Sequence, residues 1–317
     1  MSNILFVVHR YAPYPGGSEY NVQRMAEALV ENDHNVWVLT DTHQGNYNGV
    51  GVTSDYNLLG HPDWDLIAVH GWASTQSVAL RYIEQIPSKV LYMIINPETN
   101  PVILNAMQRC AYIGWGTSFD LQHIKNHGLE SKARRLRYAV NEPLGGTTID
   151  FKKKYNITTN KMFLSCGGFW SHKRMPELVD AFNEANVPDT TLVLTGYDNR
   201  EGWTPPQTEF VRSVFEPTQE EVYAAMKQAD LYIMNSQQEG YGLVILEAMF
   251  NKSEWIARDI AGAHDLQHLG QVYQSYDELV NLLKNWTPNQ NKIDAGYDYV
   301  INNHLPQHIR HDIEVLL

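Results

Sequence analysis

Only two cysteines, Cys110 and Cys166, occur in the 317-residue sequence, each inside an apolar stretch, which excludes a disulfide framework as the basis of the fold. Two reduced core thiols and a reducing compartment are expected. Long apolar runs are missing as well. The run within "NILFVVH" (3–9) is five residues long, and nothing approaches the roughly 20 apolar residues of a membrane span. No signal-type flanks accompany it, so a soluble cytoplasmic protein is expected. Charged residues are only 19% of the chain, and the net charge of −12 is uneven. Residues 1–145 carry 10 Lys+Arg against 13 Asp+Glu, and residues 146–317 carry 14 against 23. That balance opposes broad affinity for nucleic acid or anionic membranes but leaves room for a local basic patch. No Cys-x-x-Cys pair is present, and no bound metal is expected.

What is present describes a packed globular protein: 43% hydrophobic and 11% aromatic residues over a length that usually divides into two domains. Short apolar runs alternate with helical periodicity. Strands are expected at 3–9, 35–41, 65–71, 89–95, 111–116 and 135–140, with a helix from Ser18 that places Val22, Met25, Ala26, Leu29 and Val30 on one face. "NEPLGGTTIDFKKKYNITTN" (141–160) breaks the pattern and reads as a linker. The alternation then restarts with a strand at 161–168, a helix at 176–186, a strand at 190–197, a helix after the Thr218/Glu221 capping box, and a strand at 230–236. This describes two α/β domains with parallel sheets, and ligands of such sheets bind beyond the carboxyl ends of the strands.

"NSQQEGYGLVILEAM" (235–249) follows that last strand. Gly240-Tyr241-Gly242 reads as the strand-to-helix turn, and the helix runs over Leu243–Phe250. The backbone N–H groups of Tyr241, Gly242, Leu243 and Val244 form a helix amino end, where an anion such as phosphate is favoured. Glu239 lies in the loop beside it and Glu247 about one turn into the helix. Carboxylates are poor phosphate ligands but good acceptors for sugar hydroxyls, so the pair suits a ligand with both phosphates and hydroxylated rings. The bland alternative is a solvated Glu239 and a Glu247 that only complements the helix dipole, worth about 0.3–1 kcal/mol.

"SQQEGYGLVILEAM" resembles the Glu-(seven residues)-Glu motif of retaining glycosyltransferases of the GT-B fold, most closely glycosyltransferase family 4 (glycosyl transferases group 1). "YPGGSEYNVQRMAEALVENDHNVWVLT", "DWDLIAVHGW", "GGFWSHKRMPELVDAF", "ADLYIMNS", "WIARDIAGAHDLQHL" and "AGYDYVINNHLPQHIRHDIEVL" resemble other parts of the family in its order, over nearly the whole chain. The resemblance implies two Rossmann-like α/β domains with parallel sheets facing across an inter-domain cleft. They would comprise an acceptor-side domain (1–145), a nucleotide-sugar donor domain (146–300) and a C-terminal helix (301–317) crossing back to the first. It implies transfer of a sugar, with retention, from a nucleoside diphosphate sugar to an acceptor hydroxyl, without a metal or other cofactor. Glu247 would bind the ribose hydroxyls of the donor and Glu239 the donor sugar. Lys173 and the helix end at Tyr241 to Val244 would hold the diphosphate, Gly16 and Gly17 would let the first loop approach the diphosphate and the acceptor, and His70 would lie beside the reacting sugar.

Two departures stand out. The family usually has an arginine five positions before the lysine, where this sequence has Gly168, and Arg174 is the neighbouring candidate to replace it. "NKSEWIARDIAG" lacks the common Gly-x-Pro and keeps only Gly262 of a glycine pair. The chain is short for the family, mostly in the first domain, which suggests a small or unusual acceptor.

Other readings stay open. A nucleotide-sugar epimerase and an inactive nucleotide-sugar binder share the architecture. A hydroxylated DNA base could serve as acceptor in place of a glycan, lipid-linked sugar or small molecule, with the cluster Lys125, Lys132, Arg134, Arg135 and Arg137 as its basic patch. A dehydrogenase would use Asp41 at the end of the second strand, but Gly-x-Gly-x-x-Gly is absent, which leaves Asp41 structural. Tyr197, Phe215 and the loop from Asn96 to Pro101 are candidates for specificity. The oligomeric state, the donor base and the donor sugar are not encoded in any pattern that can be read.

Overall fold

The structure is a computed structural model and describes residues 1–14, 16–70, 89–94, 100–140, 147–197 and 202–317. The chain forms two compact units, Met1–Ala139 with Asn303–Leu317, and Val140–Asn302.

The first unit holds an eight-stranded sheet in the order β3-β4-β2-β1-β5-β6-β7-β8. Its strands are β1 Asn3–Val7, β2 Asn35–Leu39, β3 Gly45–Tyr47, β4 Val50–Thr53, β5 Leu66–His70, β6 Lys89–Met93, β7 Tyr112–Trp115 and β8 Ala133–Arg135. All pairings are parallel except the β3–β4 hairpin. Strand β1 is continuously apolar because both faces of the sheet are covered. Ile4 and Phe6 pack with Val22, Met25 and Leu29 of helix α1 (Gly17–Val30), while Leu5 and Val7 point to the other core, with Met107 and Ile124. Met107 belongs to α2 (Pro101–Arg109) and Ile124 to α3 (Ser118–Asn126), which starts at the Thr117/Asp120 capping box.

The second unit holds a parallel six-stranded sheet in the order β11-β10-β9-β12-β13-β14. Its strands are β9 Lys161–Cys166, β10 Thr190–Gly196, β11 Val211–Phe215, β12 Leu231–Met234, β13 Glu254–Arg258 and β14 Gln271–Tyr273. Its helices are α4 Phe151–Lys154, α5 Met175–Ala185, α6 Gln219–Gln228, α7 Leu243–Phe250, α8 Ala261–Asp265, α9 Tyr276–Lys284 and α10 Gln290–Asn303. Phe163, Leu192, Leu194, Ile233 and Ile256 meet Leu178 and Phe182 of α5 and Leu279 and Leu283 of α9 in one core. The short helix α4 sits within this unit: Lys152 N–H donates to Gln228 Oε1 of α6 at 2.9 Å. The expected linker is therefore structured in its second half, and its residues 141–146 lie outside the described ones.

The last helix, α11 (Pro306–Glu314), packs in the first unit, with Ile309 and Ile313 in the same core as α1. Arg137 is tied to it by a bidentate ion pair with Asp312, whose Oδ2 also accepts from the Arg137 backbone N–H at 2.9 Å. Strand β8 spans 133–135 rather than the expected 135–140, because after a last bond from Leu136 N–H to Trp115 O at 2.9 Å the Arg137 N–H turns to Asp312 of this helix.

Both cysteines are free and buried. Among the described residues no helix is long and apolar enough to cross a membrane.

Candidate active site

In an open parallel sheet the ligand crevice lies where the strand order reverses. For the second sheet that point falls between β9 and β12, whose carboxyl ends lead to Gly167 and to Asn235. The loop after β12 ends at Gly242, which caps α7 with φ +87° and ψ 53°, a left-handed conformation that glycine adopts without a Cβ clash. No side chain caps this helix. The donors at its amino end are therefore offered to a ligand by backbone geometry alone. Gly262 fixes the turn from behind: its N–H donates to Tyr241 O at 3.1 Å, and a Cβ at 262 would run into that oxygen. The one glycine left of the expected pair is thus the one that the turn requires.

Lys173 and Glu239 come together at this turn. Lys173 Nζ donates to Glu239 Oε1 at 2.5 Å, and each side chain is 14% exposed. Gln237 N–H on His172 O at 2.7 Å ties the two loops at their backbones. Glu247 is half-buried one turn along α7. Both glutamates bear on Tyr232, a buried residue of β12 that the sequence reading did not single out. Burial first, then Cys166, Glu239 and Glu247, push its phenol well above the usual range. Burial and Glu247 likewise push the Cys166 thiol up to about 12, against an opposing hydrogen bond from Thr195, so this thiol is no nucleophile at neutral pH. Tyr232 is thus an uncharged group within electrostatic reach of both carboxylates, and Cys166 one within reach of Glu247.

The missing arginine has a steric counterpart. A Cβ at Gly168 would lie 2.9 Å from the Trp170 indole, which stacks on His172 with ring centroids 5.5 Å apart. Aromatic surface fills the space an arginine stem would need. Arg174 is held in a different network. It pairs with Glu177, its backbone sits at φ +50°, and its carbonyl accepts from Asn235 Nδ2 at 2.8 Å. Glu177 also takes Arg258 at 2.6 Å, and Arg258 donates to Asn235 Oδ1 at 3.0 Å. Asn235 and Arg258, at the carboxyl ends of β12 and β13, were not legible as site residues. The expected strand at 230–236 covers Asn235 but carries no chemistry of its own, and no strand was expected to end at Arg258.

In the first sheet the order reverses between β1 and β5, and the expected residues flank that point too. Gly16 precedes α1 with an extended backbone, φ 160°. The space beside it is taken by Glu19, buried in the first turn, which pairs with Arg10 at 3.0 Å and accepts from Ser18 at 2.7 Å. An acidic side chain of the chain itself thus sits at the amino end of α1, in the loop that Gly16 and Gly17 were expected to open for approach to the diphosphate and acceptor. Glu19 is a further feature that the glycine pattern did not disclose.

His70 ends β5, 4% exposed, and burial holds its imidazole down to about 4. Its Nδ1 has no hydrogen-bond partner among the described residues, and the same holds for Asn21 Oδ1. Both line a small cavity with Gly114, Gly116 and Tyr138. His70 is therefore a neutral group able to donate or accept one hydrogen bond.

Other residues singled out from the sequence make the following contacts. Asp41 accepts the Tyr56 hydroxyl. Of the basic cluster, Lys132 caps the carbonyl of Cys110 at 2.9 Å, Arg134 lies over the Tyr112 ring at 5.0 Å, and Arg137 holds Asp312. Phe215 packs on Phe169 with centroids 4.9 Å apart. Residues 96–99 of the loop from Asn96 to Pro101 lie outside the described ones. Three histidine pairs, His123/His127, His264/His268 and His304/His308, carry the four-residue spacing common in metal sites, which the expectation of no metal overlooked. Among the described residues no group of three His, Cys, Asp or Glu side chains is placed to hold a metal ion.

Residues 147–292 match the family model described as glycosyl transferases group 1. No curated protein matches the chain by sequence. Solved structures resemble it over its full length at low identity. A sucrose-phosphate synthase from Thermosynechococcus elongatus is 15% identical, with a TM-score of 0.78 over 100% of this chain and 98% of that one. Anabaena HepE in complex with UDP-glucose is 15% identical, with a TM-score of 0.77 over 100% and 99%. Trehalose-6-phosphate synthase OtsA is 10% identical, with a TM-score of 0.78 over 99% of each chain. These likenesses establish the GT-B fold.

Proposed function

We propose, starting from a chain of GT-B fold whose second unit matches the group 1 glycosyl transferases, that this protein is a retaining glycosyltransferase. It takes a sugar from a nucleoside diphosphate donor and passes it to an acceptor hydroxyl without a bound metal. The observation that carries this reading is the pairing of Lys173 with Glu239 beside the uncapped amino end of α7. A diphosphate placed on that helix end meets the lysine, and the sugar beyond it meets the glutamate.

In this reading the backbone donors of Gly242, Leu243 and Val244 and the Lys173 ammonium stabilise charge that builds on the departing diphosphate. Glu247, on the same helix, accepts from the ribose hydroxyls. Glu239 passes from the lysine to the donor sugar, which fixes the sugar's orientation. Arg174, already bound to Glu177, contributes through the shape of the loop. His70, Gly16 and Gly17 are assigned to the same reaction from the first unit, His70 as a neutral hydrogen-bonding group. The UDP-glucose complex of the structurally similar HepE supports a UDP-sugar as the first donor to try.

The test is incubation of the protein with UDP-, GDP- and ADP-sugars, with and without an acceptor panel of free sugars, glycans and lipid-linked sugars, read by NMR of the anomeric proton. The expected result is nucleotide release that depends on acceptor, with a product of the donor's anomeric configuration. Conversion of the donor to an isomeric nucleotide sugar without acceptor contradicts it and assigns an epimerase. An inverted product contradicts retention.

A further inference from the structure

Lys173 is bracketed by two hydrogen bonds that cross to the loop carrying Glu239. On one side Gln237 N–H donates to His172 O at 2.7 Å, and on the other Asn235 Nδ2 donates to Arg174 O at 2.8 Å. The two loops pass each other in the manner of a short antiparallel ladder, 172 against 237 and 174 against 235, with a side-chain amide in place of a backbone donor at 235. Lys173 lies between the two ties, and Glu239 follows two residues after the first.

Arg174 has particular need of such a tie. Its backbone sits at φ +50° and ψ 37°, a left-handed conformation that a residue with a Cβ adopts only when its surroundings impose it. This residue joins the turn Ser171–Lys173 to α5, so it sets where the lysine stands relative to that helix.

Asn235 is held firmly enough to impose it. The residue is 1% exposed, and its amide uses both hydrogens and both lone pairs. Nδ2 donates to Arg174 O and, at 3.2 Å, to Glu177 Oε1. Oδ1 accepts from Arg258 Nη2 at 3.0 Å and from the Tyr273 hydroxyl at 2.6 Å. Two donors meet the oxygen and two acceptors meet the nitrogen, which fixes the direction of the amide. Arg258 and Tyr273 end β13 and β14, and Glu177 lies in the first turn of α5. One buried amide therefore joins three strand ends to the helix that follows Lys173.

We propose that Asn235 is a positioning residue for Lys173: through the Arg174 carbonyl it holds the lysine loop against the Glu239 loop, in the placement that receives the diphosphate. The proposal rests on the donor-site reading of Lys173 given above. Asn235 itself touches no substrate, and its effect on donor binding passes through the lysine.

The test uses Asn235→Asp in the full chain. The aspartate keeps an oxygen for Arg258 and Tyr273 but turns a second oxygen, with no hydrogen to give, toward two acceptors. Amide hydrogen exchange by NMR reads the loop tie without any ligand. Protection of the Gln237 N–H is expected to fall at least about tenfold, the loss of two buried hydrogen bonds, while the amides of β10 keep theirs. Calorimetric titration of UDP reads the lysine: Asn235→Asp should weaken binding about tenfold in the parent and by less than about twofold in a Lys173→Ala background. An equal loss in both backgrounds, unchanged protection of Gln237, or an equal fall in β10 overturns the proposal. A parent that does not bind UDP overturns the donor reading, and the exchange measurement then decides the loop tie alone. If Asn235→Asp does not fold, Tyr273→Phe, which removes one donor orienting the amide, is expected to lower Gln237 protection about threefold, and no change there overturns the proposal.

Discussion

Lys173 and Glu239 form a 2.5 Å ion pair at the carboxyl ends of β9 and β12, each side chain largely withdrawn from water. The two groups proposed to hold opposite ends of one donor therefore hold each other first. Binding exchanges one charge-assisted contact for two, which makes the site sensitive to removal of either partner in opposite ways.

Glu239→Gln is expected to lower transfer about 100-fold, the scale seen when a single preorganised polar contact is lost. UDP affinity in the same variant should be unchanged or up to about tenfold tighter, because Lys173 no longer has a competing carboxylate. Kinetics and UDP titration read the two effects separately. A parallel fall in both would show that Glu239 only maintains the fold.

Gly262→Ala is expected to destabilise the second unit by about 1–3 kcal/mol and to lower donor binding, because the Tyr241 carbonyl lies where the new Cβ must go. Thermal unfolding with and without UDP checks this. Unaltered binding would mean that the turn can shift without consequence.

Gly168→Arg is expected to leave UDP affinity unimproved, since Trp170 occupies the path of the new side chain. The double change Gly168→Arg with Trp170→Val should tighten UDP binding several-fold, the size of one added exposed phosphate contact, about 1 kcal/mol. Improvement by the single change would show that Trp170 moves aside readily.

How far the sequence foretold this site can be judged from these residues. The Glu239/Glu247 spacing, the Gly-Tyr-Gly turn and Lys173 were legible because each is local chain geometry, and the main strands were legible as unbroken apolar runs. The hairpin β3–β4, the strands β11 and β13 and the three-residue β14 were not, since each is short and carries at most three consecutive apolar residues. Trp170 beside Gly168 and Glu19 beside Gly16 depend on the side-chain conformations of near neighbours, which no one-dimensional pattern records.

Acid should act on the second unit through Glu221. Burial raises its carboxyl, but hydrogen bonds from Lys154, Tyr155 and Thr218 outweigh that and bring it down to about 2. A folded value below the unfolded one adds stability that is complete above about pH 4.5 and lost as the pH falls toward 2. The shift corresponds to about 3 kcal/mol. Glu221→Gln should therefore be less stable than the parent at pH 7, with the gap closing between pH 4.5 and 2 in urea melts. A pH-independent gap would contradict the electrostatic origin.

His70 has the matching sign. Its folded value near 4 lies below the unfolded value of about 6.5, so the unfolded chain protonates first and stability falls as the pH drops between them. His70→Gln should remove part of that acid sensitivity while lowering transfer. The transfer rate of the parent should show no limb from His70 between pH 5 and 8, and a limb that disappears in His70→Gln would contradict its neutral role.

The most direct measurement is titration of UDP into the parent protein and into Lys173→Ala by calorimetry. The account predicts a single site on the parent and at least tenfold weaker binding in the variant, with the fold intact by thermal unfolding. Equal affinity in the two proteins, or no binding of UDP, GDP or ADP to the parent, would contradict it.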